Sequence, residues 1–536
     1  MSASSHRTKR ALWWLALPLG IILVVGGLQF TSGVYSYLER ERVLSSALNI
    51  TSEPRDVEKR LSWLADDPLP RRVEPLTRER IRRDYLFAFD ELSYSLLTGN
   101  GGGLGSYFQS GALTDASLAV SSELRSKFID WDHRLKLHFY APDGGTVAFT
   151  DTYKYAQGTL LGTDIDDVRL GTRELSVIMT LDDGAWRIHH WRVNEDAEQT
   201  FERPLFPNLA ADIEALRGIN YISRSAPFDA FWNGYNPAEV DADFARISQL
   251  GLNTVRFFIP YPAPAGLADN LPKLLATAER HQLKLIPTLL DGYTAYALED
   301  LPDVLLYLQT LEEALEHKQV FLIDLKNEAD SDFASAGETR TTTFLGYLTN
   351  YLRDATEKPL TVGLISPSDA LMSAVDVVSV HHYGDPEALV PRLAEAADYG
   401  KPVLLEEFGF HSWAFKLPDP HSQSEQARYY FDVVNSAEAV GAGWLAWTLY
   451  DLPTGEMPGE RRVERHLGIF EADGQPKPVI AVLQGATPPS PGFFDRVLKL
   501  RYLLGVGLLV VGLIAAWVAR QRWRGKKEEE KRKMED

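Results

Sequence analysis

Between residues 216 and 485, eight short apolar runs alternate with helical segments, which predicts an α/β fold with a closed (β/α)8 barrel. Three observations carry this. The runs are too uniformly apolar to be half exposed, as strands of a parallel sheet covered on both faces must be. A helical pattern follows each run, and eight such units fit in about 270 residues, the usual length of a barrel. An open doubly wound sheet is the competing architecture, but it calls for a glycine-rich phosphate loop after the first strand, and GINYISRS is not one.

Taken in order, the units begin with RGINYI, followed by the helical AEVDADFARISQLG, and NTVRFFIP, followed by NLPKLLATAERHQ. LKLIPTLL then leads into DVLLYLQTLEEALEHK, and VFLIDLKNE into TTTFLGYLTNYLRDA. The second half supplies LTVGLI, DVVSVHHY, KPVLLEEFG and AGWLAWTL. The barrel domain is placed at 199–485, and the proline-rich ATPPSPG within 486–499 reads as a linker.

The chain before the barrel has a different texture. Over 80–198 one amphipathic segment, RIRRDYLFAFDELSYSLLTG, precedes strand-like alternation in LKLHFYA, TVAFTDTYKYAQG, RELSVIMTLDDG and AWRIHHWRV. The Asp-Gly that ends the third run predicts a hairpin turn. A leading helix followed by an antiparallel sheet resembles the NTF2-like α+β cone, which makes this a smaller domain in front of the barrel. His189 and His190 are neighbours on one strand and point to opposite faces, so they read as strand residues and not as a metal pair.

Two segments are apolar enough to cross a bilayer: 11–30, which carries no charge, and 500–519. Arg7, Lys9 and Arg10 precede the first, and Arg520, Arg522, Arg524, Lys526 and Lys527 follow the second. The positive-inside rule then predicts both termini (tails 1–10 and 520–536) in the cytoplasm of a bacterial inner membrane and everything between outside it. A cleaved signal peptide is the alternative for 11–30, but no A-x-A-like site follows it. Residues 31–79 read as a stalk and linker.

Composition narrows the chemistry. The 536 residues include no cysteine, which excludes disulfides, thiol catalysis and Cys-ligated zinc. The formal charge is −19, and each tail sums to +3, which leaves −25 on residues 11–519. So acidic a surface repels nucleic acid and other polyanions and favours neutral partners.

In a barrel of this kind the active site lies at the C-terminal ends of the strands. Arg256 ends the second run, Asn327 and Glu328 the fourth, His381 and Tyr383 the sixth, and Glu406 and Glu407 the seventh; Trp444 and Trp447 lie on the eighth. Two carboxylates facing each other across a cleft are what glycosidic cleavage requires, one to protonate the leaving oxygen and one to attack the anomeric carbon or to activate water. Trp447 and Trp413 offer flat faces for sugar stacking, and Asn327 can bond a sugar hydroxyl. Period-two alternation predicts that Glu406 points away from Glu407, into a charge pair or the barrel wall. It also puts Asp324 and Lys326 on the Glu328 face as an ion pair. Neither a metal nor a cofactor is called for.

This set resembles the clan A retaining glycoside hydrolases, most closely glycoside hydrolase family 5, the cellulase and mannanase relatives. Gly218 and Asn220 match its G-x-N, Arg256 its strand-two arginine, Asn327 and Glu328 its Asn-Glu, His381 and Tyr383 its H-x-Y. Glu407 matches its Glu-Phe-Gly, and Trp447 its strand-eight tryptophan. The resemblance implies Glu328 as acid/base, Glu407 as nucleophile, and a β-glycan as substrate. Two positions depart from the pattern: Ala329 stands where proline is usual, and Asp291 and Tyr293 stand where a histidine often follows strand three. The expected protein is a membrane-anchored glycosidase that cleaves or remodels a neutral β-linked polysaccharide. The alternatives are a transglycosylase using the same site and a non-catalytic glycan-binding scaffold beside a polysaccharide synthase.

Overall fold

The computed structural model describes residues 60–520 and 523, apart from 123, 162–163, 199–205, 415, 417–419, 453–462, 464, 491, 494, 496–504 and 506. The expected span 11–30 and most of the expected stalk fall outside the described residues. Among the described residues no helix is long and apolar enough to cross a membrane. Of the second expected span, 500–519, residues 505 and 507–519 are described; they are helical and expose Leu508, Leu509, Val511, Leu513, Ile514 and Trp517. The chain divides into two compact units, one of residues up to 155 plus 171–197, the other of 156–170 plus 198–536.

The first unit is an α+β structure. Its sheet runs in the order β1 (Leu61–Trp63), β2 (Ser126–Tyr140), β3 (Thr146–Leu161), β4 (Asp164–Asp182) and β5 (Ala185–Glu198). β2 to β5 are the four expected strands. β1, which pairs in parallel with β2, lies in the segment read as linker, and three residues give no detectable period. The leading helix, Pro75–Thr98, starts on a proline and stops at Gly99, whose φ of 73° few other residues adopt. It buries Ile81, Tyr85, Phe89 and Leu92, one face at helical spacing. A second helix, Ser110–Val120, has no counterpart among the expected elements. Asp183 and Gly184 both have positive φ, the conformation of the two-residue hairpin turn that the Asp-Gly predicted.

The core of this unit holds a charged cluster. His133 is fully buried between two carboxylates, Nδ1 lying 2.6 Å from Asp151 and Nε2 2.8 Å from Asp130. Arg60 donates to Asp130, and the Tyr85 hydroxyl donates to Asp151 at 2.8 Å. Burial alone lowers the imidazole pKa, but the two carboxylates outweigh it and raise the value to about 9.

The second unit contains the barrel. Its strands are β6 (Arg217–Asn220), β7 (Thr254–Pro260), β8 (Lys284–Asp291), β9 (Ile323–Asp324), the pair β10 (Leu360–Thr361) and β11 (Gly363–Leu364), β12 (Val378–His382), β13 (Val403–Phe408) and β14 (Gly443–Trp447). The hydrogen-bonded order is β10-β9-β8-β7-β6-β14-β13-β12-β11, and every pairing between these strands is parallel. β10 and β11 are halves of one stretch, separated only by Val362, so the ring closes on itself as eight strands. Each falls within one of the eight apolar runs, β8 passing the end of its run by one residue, Asp291.

Helices wrap the ring because their apolar faces need the sheet. Leu267–Arg280 buries Leu271, Leu274, Leu275 and Ala278. Each leucine so placed contributes about 1.5–3 kcal/mol. Gln423–Ala439 is fixed at its start by a reciprocal Ser422–Glu425 capping box. The short helix Leu209–Glu214 packs Leu209 and Ile213 against Leu216, Ile286, Leu404 and Leu445, closing the end of the ring opposite the expected site.

Candidate active site

Arg256, in the middle of β7, organises the barrel interior. It is fully buried, and register places it beside Asn220 of β6, which in turn lies beside Trp447 of β14. Its guanidinium donates through Nη1 to Glu407 and, at 2.9 Å, to Asn220 Oδ1. Nη2 donates to Asn327 Oδ1 at 2.8 Å, and both Nη2 and Nε reach Asp324 Oδ2, at 2.7 and 3.2 Å. Burial opposes the charge, but Glu406, Asp324 and Glu407 together push the guanidinium far above its ordinary pKa, so it remains a cation. Asp324 also accepts from Thr288 Oγ1 at 2.8 Å and from the Gly363 amide at 3.0 Å.

Glu407 is 3% exposed and receives, besides Arg256, the Tyr383 hydroxyl at 2.8 Å. The Tyr383 residue is 44% exposed while its hydroxyl reaches inward; burial of that hydroxyl and the Glu407 charge push its pKa well above 10. Glu328 follows β9 in a left-handed conformation, φ 44° and ψ 49°, which is uncommon for a residue with a side chain and marks a position fixed by its surroundings. Its carboxylate accepts from His381 Nδ1 at 3.1 Å. That bond, opposed by partial burial, lowers the Glu328 pKa. His381 is buried; desolvation lowers its pKa, but Glu407, Glu328 and Glu406 raise it to about 10.

One oxygen of Glu328, one of Glu407 and a ring nitrogen of His381 lie within 4.8 Å of one another. Such a trio could hold a cation, but Arg256 and a charged His381 already place two positive groups beside Glu407. A metal ion there would meet repulsion, and the set suits an acid–nucleophile pair better.

The expected residues Arg256, Asn327, Glu328, His381, Tyr383 and Glu407 are therefore joined by direct contacts. Trp447 is half buried at the end of β14, edge-on to Phe258 at 5.9 Å, and precedes a cis peptide to Thr448. Trp413 sits on the loop after β13 and stacks on His466, 5.1 Å between centroids. Tyr293 packs edge-on against Tyr261 and Tyr296, and its hydroxyl donates to Asp300.

Two expectations are corrected. Asp324 and Lys326 are both buried, but not as a side-chain ion pair: Asp324 binds Arg256, while Lys326 Nζ donates to the Asn327 carbonyl and lies 3.6 Å from Asp332. Glu406 does not point away from the site. Register shifts after Val380, which pairs with Leu405 while His381 pairs with Glu407; toward β14, Leu405 and Phe408 span the interval of Trp444 and Ala446. This bulge puts an extra residue in β13 and breaks the alternation, so Glu406 and Glu407 both turn inward. Glu406 lies 3.5 Å from Arg256 Nε and 3.6 Å from His381 Nε2. Gly363 on the fifth strand, absent from the expected set, makes room here: a Cβ would sit 3.0 Å from Glu406 Oε2 and 3.0 Å from His381 Nε2.

No protein-family model matches the chain, and no curated protein matches it. Solved structures give distant likenesses. An exo-β-1,4-mannosidase from Opitutaceae bacterium strain TAV5 is 21% identical with a TM-score of 0.43, over 53% of this chain and 60% of that one. A GH5_18 protein from Streptomyces cattleya, in complex with Manβ1-4GlcNAc, is 16% identical with a TM-score of 0.42, over 53% and 87%. One from Bifidobacterium longum subsp. longum ATCC 55813 is 18% identical with a TM-score of 0.42, over 51% and 80%. The barrel itself is established by the chain's own strand pairing.

Proposed function

We propose that the barrel is a retaining glycoside hydrolase acting on a neutral β-linked glycan, with Glu407 as nucleophile and Glu328 as acid/base. The observation that carries this reading is the approach of the two carboxylates to within 4.8 Å, one buried against Arg256 and Tyr383, the other at the mouth beside His381. Retaining enzymes need carboxyl groups about 5–5.5 Å apart, whereas inverting ones need roughly 6.5–9.5 Å to admit a water.

In the first step a Glu407 oxygen bonds to the anomeric carbon as the bond to the leaving oxygen breaks, and Glu328 gives that oxygen its proton. In the second, Glu328 takes a proton from water, whose oxygen displaces Glu407 and restores both carboxyls. A sugar hydroxyl in place of water makes the same site a transglycosylase. With the site empty, the His381 bond favours ionised Glu328, the wrong state for the first step. A neutral sugar ring that fills the mouth and removes water disfavours that charge pair and moves the shared proton onto Glu328. Asn327 and Trp447 are placed to hold the sugar.

The exposed apolar side chains of 507–520 support an anchor in a lipid bilayer, with the barrel outside a bacterial inner membrane, where it would trim or remodel a nascent polysaccharide. The helix-and-sheet composition of the first unit suits an NTF2-like role in contacting a synthase or ligand.

The test is turnover of aryl β-glycosides and of β-glucan and β-mannan panels by the full chain and by Glu328→Gln and Glu407→Gln. Each substitution is expected to cost about 10²–10⁴-fold or more in kcat. Undiminished hydrolysis by both variants overturns the assignment, and glycan binding without turnover by the parent protein supports the scaffold reading instead.

A further inference from the structure

His381 has a carboxyl on each side. Its Nδ1 faces Glu328 at 3.1 Å, and its Nε2 faces Glu406 at 3.6 Å. Nε2 and both oxygens of Glu406 are buried without a hydrogen-bond partner. Glu406 is wholly enclosed, so the group it faces most closely besides Arg256 is this ring nitrogen. The double-displacement chemistry proposed above has no use for Glu406.

We infer that Glu406 is a positioning residue: from the far side of His381 it anchors the positive charge of the imidazole, so that Nδ1–H donates to Glu328 and sets the pH at which that carboxyl gives up its proton. The inference concerns regulation of the proposed site and rests on Glu328 being its acid.

The surroundings explain why Glu406 serves His381 as well as the nearer cation. Arg256 is already engaged through Nη1 by Glu407 and Asn220, through Nη2 by Asp324 and Asn327, and through Nε by Asp324. Asp324, on β9, is in turn held by Thr288 and the Gly363 amide. The charged groups around Glu406 are thus Arg256 from β7, Asp324 from β9, His381 from β12 and Glu407 on its own strand. Lys326 turns toward Asp332. On β6, Asn220 reaches Glu406 at its backbone carbonyl, at 2.9 Å, and not at its carboxyl. Burial first, and then the Asp324 charge, raise the Glu406 pKa, with Arg256 and His381 opposing. With the proton between them on Nε2 and the Glu406 carboxylate facing it, the ring is an imidazolium whose other nitrogen donates to Glu328. Gly363 is what lets the two approach, since any side chain there would meet both.

The experiment follows the His381 ring by ¹⁵N NMR in the full chain, with ring-labelled histidine and the signal assigned by its loss in His381→Gln, alongside the pH profile of kcat/KM. In the parent protein His381 is expected to stay an imidazolium past pH 8. In Glu406→Gln its midpoint should fall by about one pH unit or more. Glu328, losing the imidazolium that lowers its pKa, then keeps its proton to higher pH, so the alkaline limb of kcat/KM moves upward. In a His381→Gln background, Glu406→Gln should leave that limb where it is. A purely structural Glu406 would lower activity at every pH and move neither midpoint nor limb, which overturns the inference. If Glu406→Gln does not fold, a neutral His381 at pH 7 in the parent protein overturns it as well. A shifted NMR midpoint in a protein without glycosidase activity would uphold the Glu406–His381 coupling and reject the proposed reaction.

Discussion

Replacing Arg256 with methionine removes the one cation that Asp324, Glu406 and Glu407 share, while roughly keeping the volume. All four groups are buried, with Arg256 and Asp324 at 0% exposure. Breaking a buried ion pair from one side typically costs about 3–5 kcal/mol, because the partner's charge stays in the interior uncompensated. Two neutral acceptors, Asn220 Oδ1 and Asn327 Oδ1, also lose their donor, at about 1 kcal/mol each. At about 2 °C per kcal/mol for a unit of this size, the expected fall in Tm is on the order of 10–14 °C. Differential scanning calorimetry of the full chain, resolving the two units' transitions, measures it. The loss should be partly restored in Arg256→Met/Glu407→Gln, since that pair removes one orphaned charge together with the cation. A Tm within about 2 °C of the parent, or a double variant that loses as much as the sum of the single ones, would refute the view that Arg256 neutralises a shared buried carboxylate set.

Two further outcomes follow from the geometry. Gly363→Ala places a Cβ 3.0 Å from both Glu406 Oε2 and His381 Nε2; overpacking of this kind costs about 1–3 kcal/mol, and kcat should fall with KM little changed, read from steady-state kinetics and urea unfolding. In the first unit the His133 pKa is raised from 6.5 to about 9, so its contribution to stability is fully present below pH 6.5 and disappears as pH rises through about 9. Urea unfolding of the first unit should therefore show a loss on the order of 1–3 kcal/mol over that window, and His133→Gln should flatten the dependence.

The barrel was largely legible in the chain because parallel strands buried on both faces leave unbroken apolar runs, and all eight contain a strand or its halves. β1 was not, since three residues carry no period, and the helix Ser110–Val120 was not, since its segment SGALTDASLAV gives only a weak apolar stripe. At the site, Asn327, Glu328, His381, Tyr383 and Glu407 could be found from their positions at strand ends, and Arg256 from its place on the second strand, although that strand runs on past it to Pro260. The contact between Glu406 and His381 could not. Alternation is a property of a regular strand, and the bulge in β13 exists only in its pairing with β12 and β14. The left-handed backbone at Glu328 is equally invisible in residue types, as is the exchange of partners between Asp324 and Lys326, which Arg256 decides from another strand.

The central claim is that Glu407 attacks the anomeric carbon. A 2-deoxy-2-fluoro β-glycoside with a good leaving group slows both steps but the second more, so a retaining nucleophile stays glycosylated. Mass spectrometry of the protein so treated should show one added glycosyl unit, and peptide mapping should place it on Glu407 in the stretch LLEEFGF. A label on Glu406 or elsewhere, or inhibition by turnover-competent substrate analogues with no covalent adduct at all, would contradict the account.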